Sequence, residues 1–255
     1  MNARRGPIMS PGIARLFVII ALLLLWEVGA RLYADPLFLC PPSQAVMALQ
    51  HIFSDPKIVH AIWVTIYEVF VAFVMSVGFG MTIGLIVGLQ GFTKKAILPV
   101  ILLLYSIPQA TVLPLFILSF GIGPAAKIAF GLSHGIFPVI VTTVGGVQNL
   151  RPSLLTAARS MGANRWQIFT SIVFPHMIPS FFTGMRLGMT AVLLGVLLAE
   201  LYVSTAGIGY FTQMFTQAFD PAKLLGLVSI LAAMAIALNE IVRRAEIHFG
   251  RWREE

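Results

Sequence analysis

Charge is what this sequence has least of. Of its 255 residues, 11% are Asp, Glu, Lys or Arg, against about 25% in an ordinary soluble domain. So few charges cannot cover the exterior of a water-soluble globule. Cysteine is nearly absent: Cys40 stands alone, which excludes a disulfide framework within the chain. No glycine is followed by lysine, so a Walker-type loop that cradles nucleotide phosphates is excluded too. What abounds is apolar. Hydrophobic residues make up 58% and the mean hydropathy is +0.91. That composition is incompatible with disorder and points to a polytopic α-helical membrane protein. The net charge of +7 then reads as membrane orientation before it reads as nucleic-acid binding.

A spanning helix needs about 20 mostly apolar residues, because lipid gives an open backbone no hydrogen-bond partner. Six segments qualify: Leu16–Tyr33, Ile62–Leu89, Ala96–Leu118, Ala125–Gly145, Met177–Val203 and Lys223–Val242. The fourth is the weakest, with Lys127 near its start and His134 within it. The first resembles a signal peptide, with Arg4, Arg5 and Arg15 before an apolar run and Val28-Gly29-Ala30 as a small-x-small site. Glu27 and Arg31 flank that site and more spans follow, so the segment reads as an uncleaved anchor.

The positive-inside rule orients the spans. With a cytoplasmic N-terminus, the inner segments hold Arg4, Arg5, Arg15, Lys94, Lys95, Arg151, Arg159, Arg165, Arg243, Arg244, Arg251 and Arg253. The outer segments and outer span ends hold Lys57, Lys127 and Lys223. Both termini are therefore expected in the cytoplasm. The outer segment Ala34–Ala61 is proline-rich, with Pro36, Pro41, Pro42 and Pro56, and reads as a loop. The outer segment Ser204–Ala222 has room for a short surface helix.

The inner segment Gly146–His176 is the most informative. Pro152 suits a first helical turn. Leu154, Leu155, Ala158 and Met161 fall on one face at helical spacing, with Ser153, Thr156, Arg159 and Ser160 on the other. Gly162 stops that helix as glycine does just past a C-terminus. Asn164 and Gln167 form a capping-box pattern for a second helix, and Pro175 and Pro179 mark entry to the fifth span. Periodicity alone leaves two readings open for this amphipathic helix: lying on lipid headgroups, or docking a partner.

Thr156-Ala157-Ala158, then Gly162, then Ile172-Val173-Phe174-Pro175 resembles the EAA loop of ABC-importer permeases. That motif runs Glu-Ala-Ala, three residues, Gly, nine residues, Ile-x-Leu-Pro. Thr156 stands where Glu is usual and Phe174 where Leu is usual. Cys40-Pro41-Pro42-Ser43-Gln44-Ala45-Val46 is similar to the leader of the nitrate/sulfonate/taurine branch. Ile107-Pro108, Pro114–Leu118, Phe120–Gly123, Gly184–Gly188 and Ala199-Glu200 resemble that branch's third and fifth spans.

The resemblance implies an all-α type I ABC importer permease fold in a bacterial plasma membrane. It implies residues 1–60 as anchor and periplasmic loop, 61–243 as the permease core with its coupling loop at 146–176, and 244–255 as a cytoplasmic tail. The coupling set would be Leu154, Leu155, Thr156, Ala157, Ala158, Arg159, Gly162, Ala163, Ile172 and Pro175. The implied partners are two ATPase subunits that hold ATP and Mg, a second and identical permease copy, and a periplasmic or lipid-anchored substrate-binding protein, with membrane lipid around them and no nucleic acid. This chain would bind no cofactor or metal and catalyse nothing. The cargo would be a small anion such as a sulfonate, nitrate or carboxylate, although some relatives carry pyrimidine or riboflavin-type vitamins. An ion-coupled secondary transporter is the alternative class.

Other residues carry two readings each. Gly80, Gly84 and Gly88 recur every four residues, as do Gly184 and Gly188, which lets helix backbones approach closely, within a subunit or between subunits. Gly131-Leu132-Ser133-His134-Gly135 matches the Gly-x-Ser-x-Gly string of hydrolases, but that motif needs a strand-to-helix turn. Glu27 with Arg31, and Glu240 with Arg243 and Arg244, read as local pairs. Glu68, His134, Arg186 and Glu200 lack a local partner, and an ionisable group inside a membrane is a functional candidate by default. Pro108 and Pro114 are expected to break the third span. Tyr105, Ser106, Gln109 and Thr111 surround the break; together with His134 and Glu200 they are candidates for a transport path.

Overall fold

The computed structural model describes residues 11–33, 35 and 37–250. Arg4, Arg5, Arg251 and Arg253, used above for orientation, lie outside the described residues, as do Ala34 and Pro36. Among the described residues there is no strand. Eleven helices follow in order: α1 (Pro11–Tyr33), α2 (Pro42–Ser54), α3 (Pro56–Leu89), α4 (Gly91–Ser106), α5 (Leu113–Phe120), α6 (Pro124–Gln148), α7 (Pro152–Ser160), α8 (Arg165–Ile168), α9 (Phe174–Val203), α10 (Ile208–Gln217) and α11 (Pro221–Gly250). Among the described residues five stretches are long and apolar enough to cross a membrane, and a sixth if the bent pair of residues 91–106 and 109–120 is one span. The chain forms two compact units, one of residues up to Val59 with Phe211–Ile230, the other of His60–Tyr210 with the chain from Leu231.

In the first unit, α1 exposes nearly all of its apolar surface, as a helix facing lipid does. Its Glu27 bonds Arg31 Nε at 2.6 Å and also takes the Ser43 backbone N–H at 3.1 Å and the Ser43 hydroxyl at 2.8 Å. A carboxylate thus caps the first turn of α2, where the macrodipole favours negative charge. Helix α2 corrects the expectation of a loop from 34 to 61. Proline there starts helices rather than preventing them: Pro42 and Pro56 both occupy first turns, where a missing N–H costs nothing. Ala45, Ala48 and Ile52 form the buried face of α2. Gly226 of α11 lies against it, since a β-carbon there would fall 2.7 Å from Ile52 Cδ1.

The second unit is built on α6 and α9, packed together along most of their lengths. Small residues make this possible. A β-carbon on Gly188 would fall 2.8 Å from Val139 Cγ2, and one on Gly131 2.6 Å from Val196 Cγ2. Helix α3 packs against α6 beside α9, so that Val139 meets both Gly80 and Gly188. Gly80, Gly84 and Gly88 meet Val139, Thr143 and Val147 in succession, at 2.8, 2.6 and 3.1 Å from the position of an added β-carbon. The four-residue stripe is therefore matched by a four-residue stripe within the same chain. Val69, Ala72, Phe73, Phe182, Val192, Val196 and Val242 form the core.

Two expectations need correction. The third span breaks by 81° at one proline, not two. Pro108 follows the end of α4, whereas Pro114 sits in the first turn of α5 and accommodates helix there. Pro175 and Pro179 do not separate a loop helix from the fifth span. Residues 165–203 run as one 39-residue helix, because a π-helical turn at Phe169–Val173 absorbs the extra residue ahead of Pro175.

Candidate coupling loop and transport path

The inner segment folds as its capping signals dictate. Arg151 is extended, Pro152 opens α7, and the helix ends at Gly162 with φ +82°. The Gly162 N–H bonds the Arg159 carbonyl at 3.0 Å and the Ala163 N–H bonds that of Ala158 at 3.0 Å, the reversed pattern of a left-handed C-terminal cap. Asn164 and Gln167 then exchange two 2.8 Å bonds, Gln167 N–H to Asn164 Oδ1 and Asn164 N–H to Gln167 Oε1. That capping box fixes the start of α8, and the π-turn joins α8 to α9 without a break.

The expected apolar face of α7 is split. Ala158 is buried and Leu155 packs with Leu150, Val173 and Met177. Leu154 and Met161 point outward, Met161 86% exposed. Thr156, Ala157 and Arg159 are exposed with them, and the Thr156 hydroxyl bonds the Pro152 carbonyl at 3.2 Å. So α7 clings to its own chain by one edge and presents a mixed apolar and cationic edge. Ile172 and Pro175 are half-buried in the π-turn and the start of α9.

At the other end of the spans lies a buried polar cluster. Glu68 Oε1 pairs with Lys127 Nζ at 2.6 Å, both buried. Lys127 also donates to the Ala206 carbonyl at 3.2 Å. Glu200 Oε1 accepts the Thr65 hydroxyl at 2.7 Å and Oε2 accepts the Gly209 N–H at 2.8 Å. Lys127, near the start of α6, is therefore an interior partner and not an exposed cation. Thr65 and the Glu68–Lys127 pair were not legible in the sequence, because partners 59 and 135 positions apart leave no local signal.

The residues expected on a path do not converge. Glu200 is fully enclosed. His134 is buried, its Nδ1 3.0 Å from the Phe130 carbonyl and its ring beside Gly195. Ser133 donates to the Phe130 carbonyl at 2.7 Å in mid-helix, so the Gly-x-Ser-x-Gly string forms no nucleophile elbow. At the bend, Tyr105, Ser106 and Thr111 are exposed, Tyr105 stacks on Phe137, and the buried amide atoms of Gln109 find no protein partner. A different cleft, of about 300 Å³, opens between α6 and α9 and is lined by Thr142, Gly145, Asn149, Pro179, Ser180 and Thr183. The Thr142 and Thr183 hydroxyls bond the Pro138 and Pro179 carbonyls at 2.7 and 2.9 Å. A hydroxyl four residues after a proline was the available sequence signal.

Residues 76–252 match the family described as binding-protein-dependent transport system inner membrane component. The chain belongs to that family. The taurine transport system permease protein TauC of Escherichia coli is 27% identical over 90% of this chain and 86% of its own length. The putative aliphatic sulfonates permease SsuC of Bacillus subtilis is 27% identical over 92% and 85%. The formylaminopyrimidine permease ThiX of Halalkalibacterium halodurans is 25% identical over 92% and 93%. Among solved structures, an inward-facing conformation of the MetNI methionine ABC transporter covers 76% of this chain and 96% of its own with a TM-score of 0.67. At 15% identity that likeness concerns the fold, the type I ABC importer permease fold. The protein is thus a multi-pass component of the inner membrane and a permease of a binding-protein-dependent importer.

Proposed function

We propose that this permease is the translocating subunit of an ATP-driven importer of small sulfonates or related anions. Its termini and α7 face the cytoplasm, and α7 docks into a separate ATPase subunit that holds ATP and Mg. A second copy of the chain completes the path, and a binding protein delivers cargo to the outer side. Residues 1–60 serve as anchor and outer segment, 61–243 as the transport core and 244–255 as a cytoplasmic tail. The observation that carries the reading is the exposed edge of α7, linked through Gly162 and the capping box to the unbroken 39-residue helix that ends in α9. A push on α7 by a closing ATPase moves that helix as a rod. Leu154, Thr156, Ala157, Arg159 and Met161 meet the partner, while Leu155, Ala158, Gly162, Ala163, Ile172 and Pro175 hold the lever's shape.

The uncharged hydroxyl-lined cleft at Thr142, Ser180 and Thr183 is the inner part of the path. It lends cargo polar contacts without a fixed charge that would trap an anion. Reconstitution with the partner ATPase and binding protein tests the reading, with uptake of taurine, an alkanesulfonate, nitrate and formylaminopyrimidine compared. ATP-dependent uptake of a sulfonate is expected. The similarity to ThiX makes a pyrimidine the second reading, and uptake driven by an ion gradient without ATPase would overturn both.

A further inference from the structure

A cavity of about 380 Å³ lies between α9 and α11, lined by Arg186, Ala235, Ile236, Asn239, Glu240 and Arg243. Arg186 sits twelve residues into α9, with apolar neighbours on either side in sequence, and its side chain is 39% exposed. It pairs with Glu246 at 3.4 Å. Glu240 accepts from Arg243 Nε at 2.6 Å, from Arg243 Nη2 at 2.8 Å and from Arg244 Nε at 3.1 Å. Among the described residues, three guanidinium groups in and beside the cavity therefore share two carboxylates, one positive charge in excess. A partly exposed arginine in a span is costly in lipid unless it meets an anion.

The cavity is also graded. Helix α11 carries Ala235 and Ile236 one turn before Asn239 and Glu240 and two turns before Arg243. Ile236 is 71% exposed. Travelling along α11 towards its C-terminal end, the wall changes from apolar to cationic within about 12 Å. A free phosphate needs the cationic rim alone. A phospholipid needs both parts, in that order.

We propose that this cavity binds an anionic phospholipid, its phosphate between Arg186 and the Arg243–Arg244 rim and its acyl chain along Ala235 and Ile236. Guanidinium suits phosphate oxygens because its N–H groups form a planar fork, and basic pockets between spans on the cytoplasmic side are suited to anionic headgroups. Placing the lipid in the inner leaflet rests on the cytoplasmic C-terminal end of α11 proposed above. Binding itself does not, so the two are tested apart.

The experiment is native mass spectrometry of the full chain with phosphatidylglycerol or phosphatidylcholine of the same acyl length, with and without millimolar inorganic phosphate. Phosphatidylglycerol is expected to be retained in preference, and phosphate alone is expected not to displace it. Arg186→Gln should weaken retention by about tenfold, the loss of one charge-assisted contact. Glu246→Gln removes the carboxylate that competes for Arg186 and should strengthen retention, a gain that misfolding cannot mimic. Equal retention of the two lipids, or no response to both substitutions, overturns the site. Full displacement by phosphate overturns the lipid as its occupant. Impermeant labelling of a cysteine at Ser160 in cells tests the leaflet: if that position is labelled from outside while retention behaves as expected, the topology fails and the site stands.

Discussion

The Thr65 hydroxyl donates to Glu200 Oε1 at 2.7 Å across 135 positions of sequence. The same Thr65 oxygen accepts the Ile208 N–H at 2.9 Å, and Glu200 Oε2 accepts that of Gly209 at 2.8 Å. Two spanning helices thus cap the first turn of α10. The turn that reaches them needs Gly207 at φ +106°, where a β-carbon would also collide with the Glu200 carboxylate. An anionic acceptor at a helix N-terminus is favoured by the macrodipole.

Glu200→Gln converts one of those acceptors into a donor. One buried partner then goes unmatched, at a cost of about 1–3 kcal/mol. Lower thermal stability of the purified permease is expected, with slower transport and an unchanged profile of competing ligands. A changed profile at equal expression would show that Glu200 contacts cargo.

Close helix approach makes an asymmetric prediction along α3. Gly84→Ala would place a β-carbon 2.6 Å from Thr143 Cβ and 3.0 Å from the Ile140 carbonyl, an overpacking worth about 1–3 kcal/mol. Gly78 has nothing within 4 Å of that position, so Gly78→Ala should leave stability unchanged or slightly raised. Unfolding in detergent, measured for both, decides; equal effects would refute the α3–α6 contact.

The coupling loop should fail in two separable ways. Gly162→Val strains a backbone at φ +82° by about 1 kcal/mol or more and tilts α7 without touching a span. Leu154→Asp leaves the shape intact but charges the exposed edge. Both should insert normally, lose co-purifying ATPase and lose uptake. Ala158→Asp should resemble Gly162→Val, since Ala158 is buried against its own chain. Thr156→Glu, on an exposed position, should retain both. Full ATPase retention by Gly162→Val and Leu154→Asp together would dismiss α7 as the docking element.

Orientation is checked in cells. With Cys40, which is buried, replaced by Ala, a cysteine at the exposed Gln50 should react with an impermeant reagent from outside. One at the exposed Ser160 should react only after lysis.

The membrane class, the number of candidate spans, the cap at Gly162, the Asn164–Gln167 box and the Glu27–Arg31 and Glu240–Arg243 pairs were legible in the sequence. Each depends on neighbours within about four residues or on composition over one span, and such interactions keep their meaning wherever the segment lies. The helix α2 was also encoded, in Pro42 and the spacing of Ala45, Ala48 and Ile52, but four prolines masked it. Tertiary structure alone decided the rest. It matched the Gly80, Gly84 and Gly88 stripe to Val139, Thr143 and Val147, turned Leu155 inward and Leu154 outward, and gave Glu68 to Lys127 and Glu200 to Thr65. Periodicity says which face of a helix is apolar or small. Which residue meets that face depends on where two helices cross, and a crossing point is a property of the pair that neither segment carries alone.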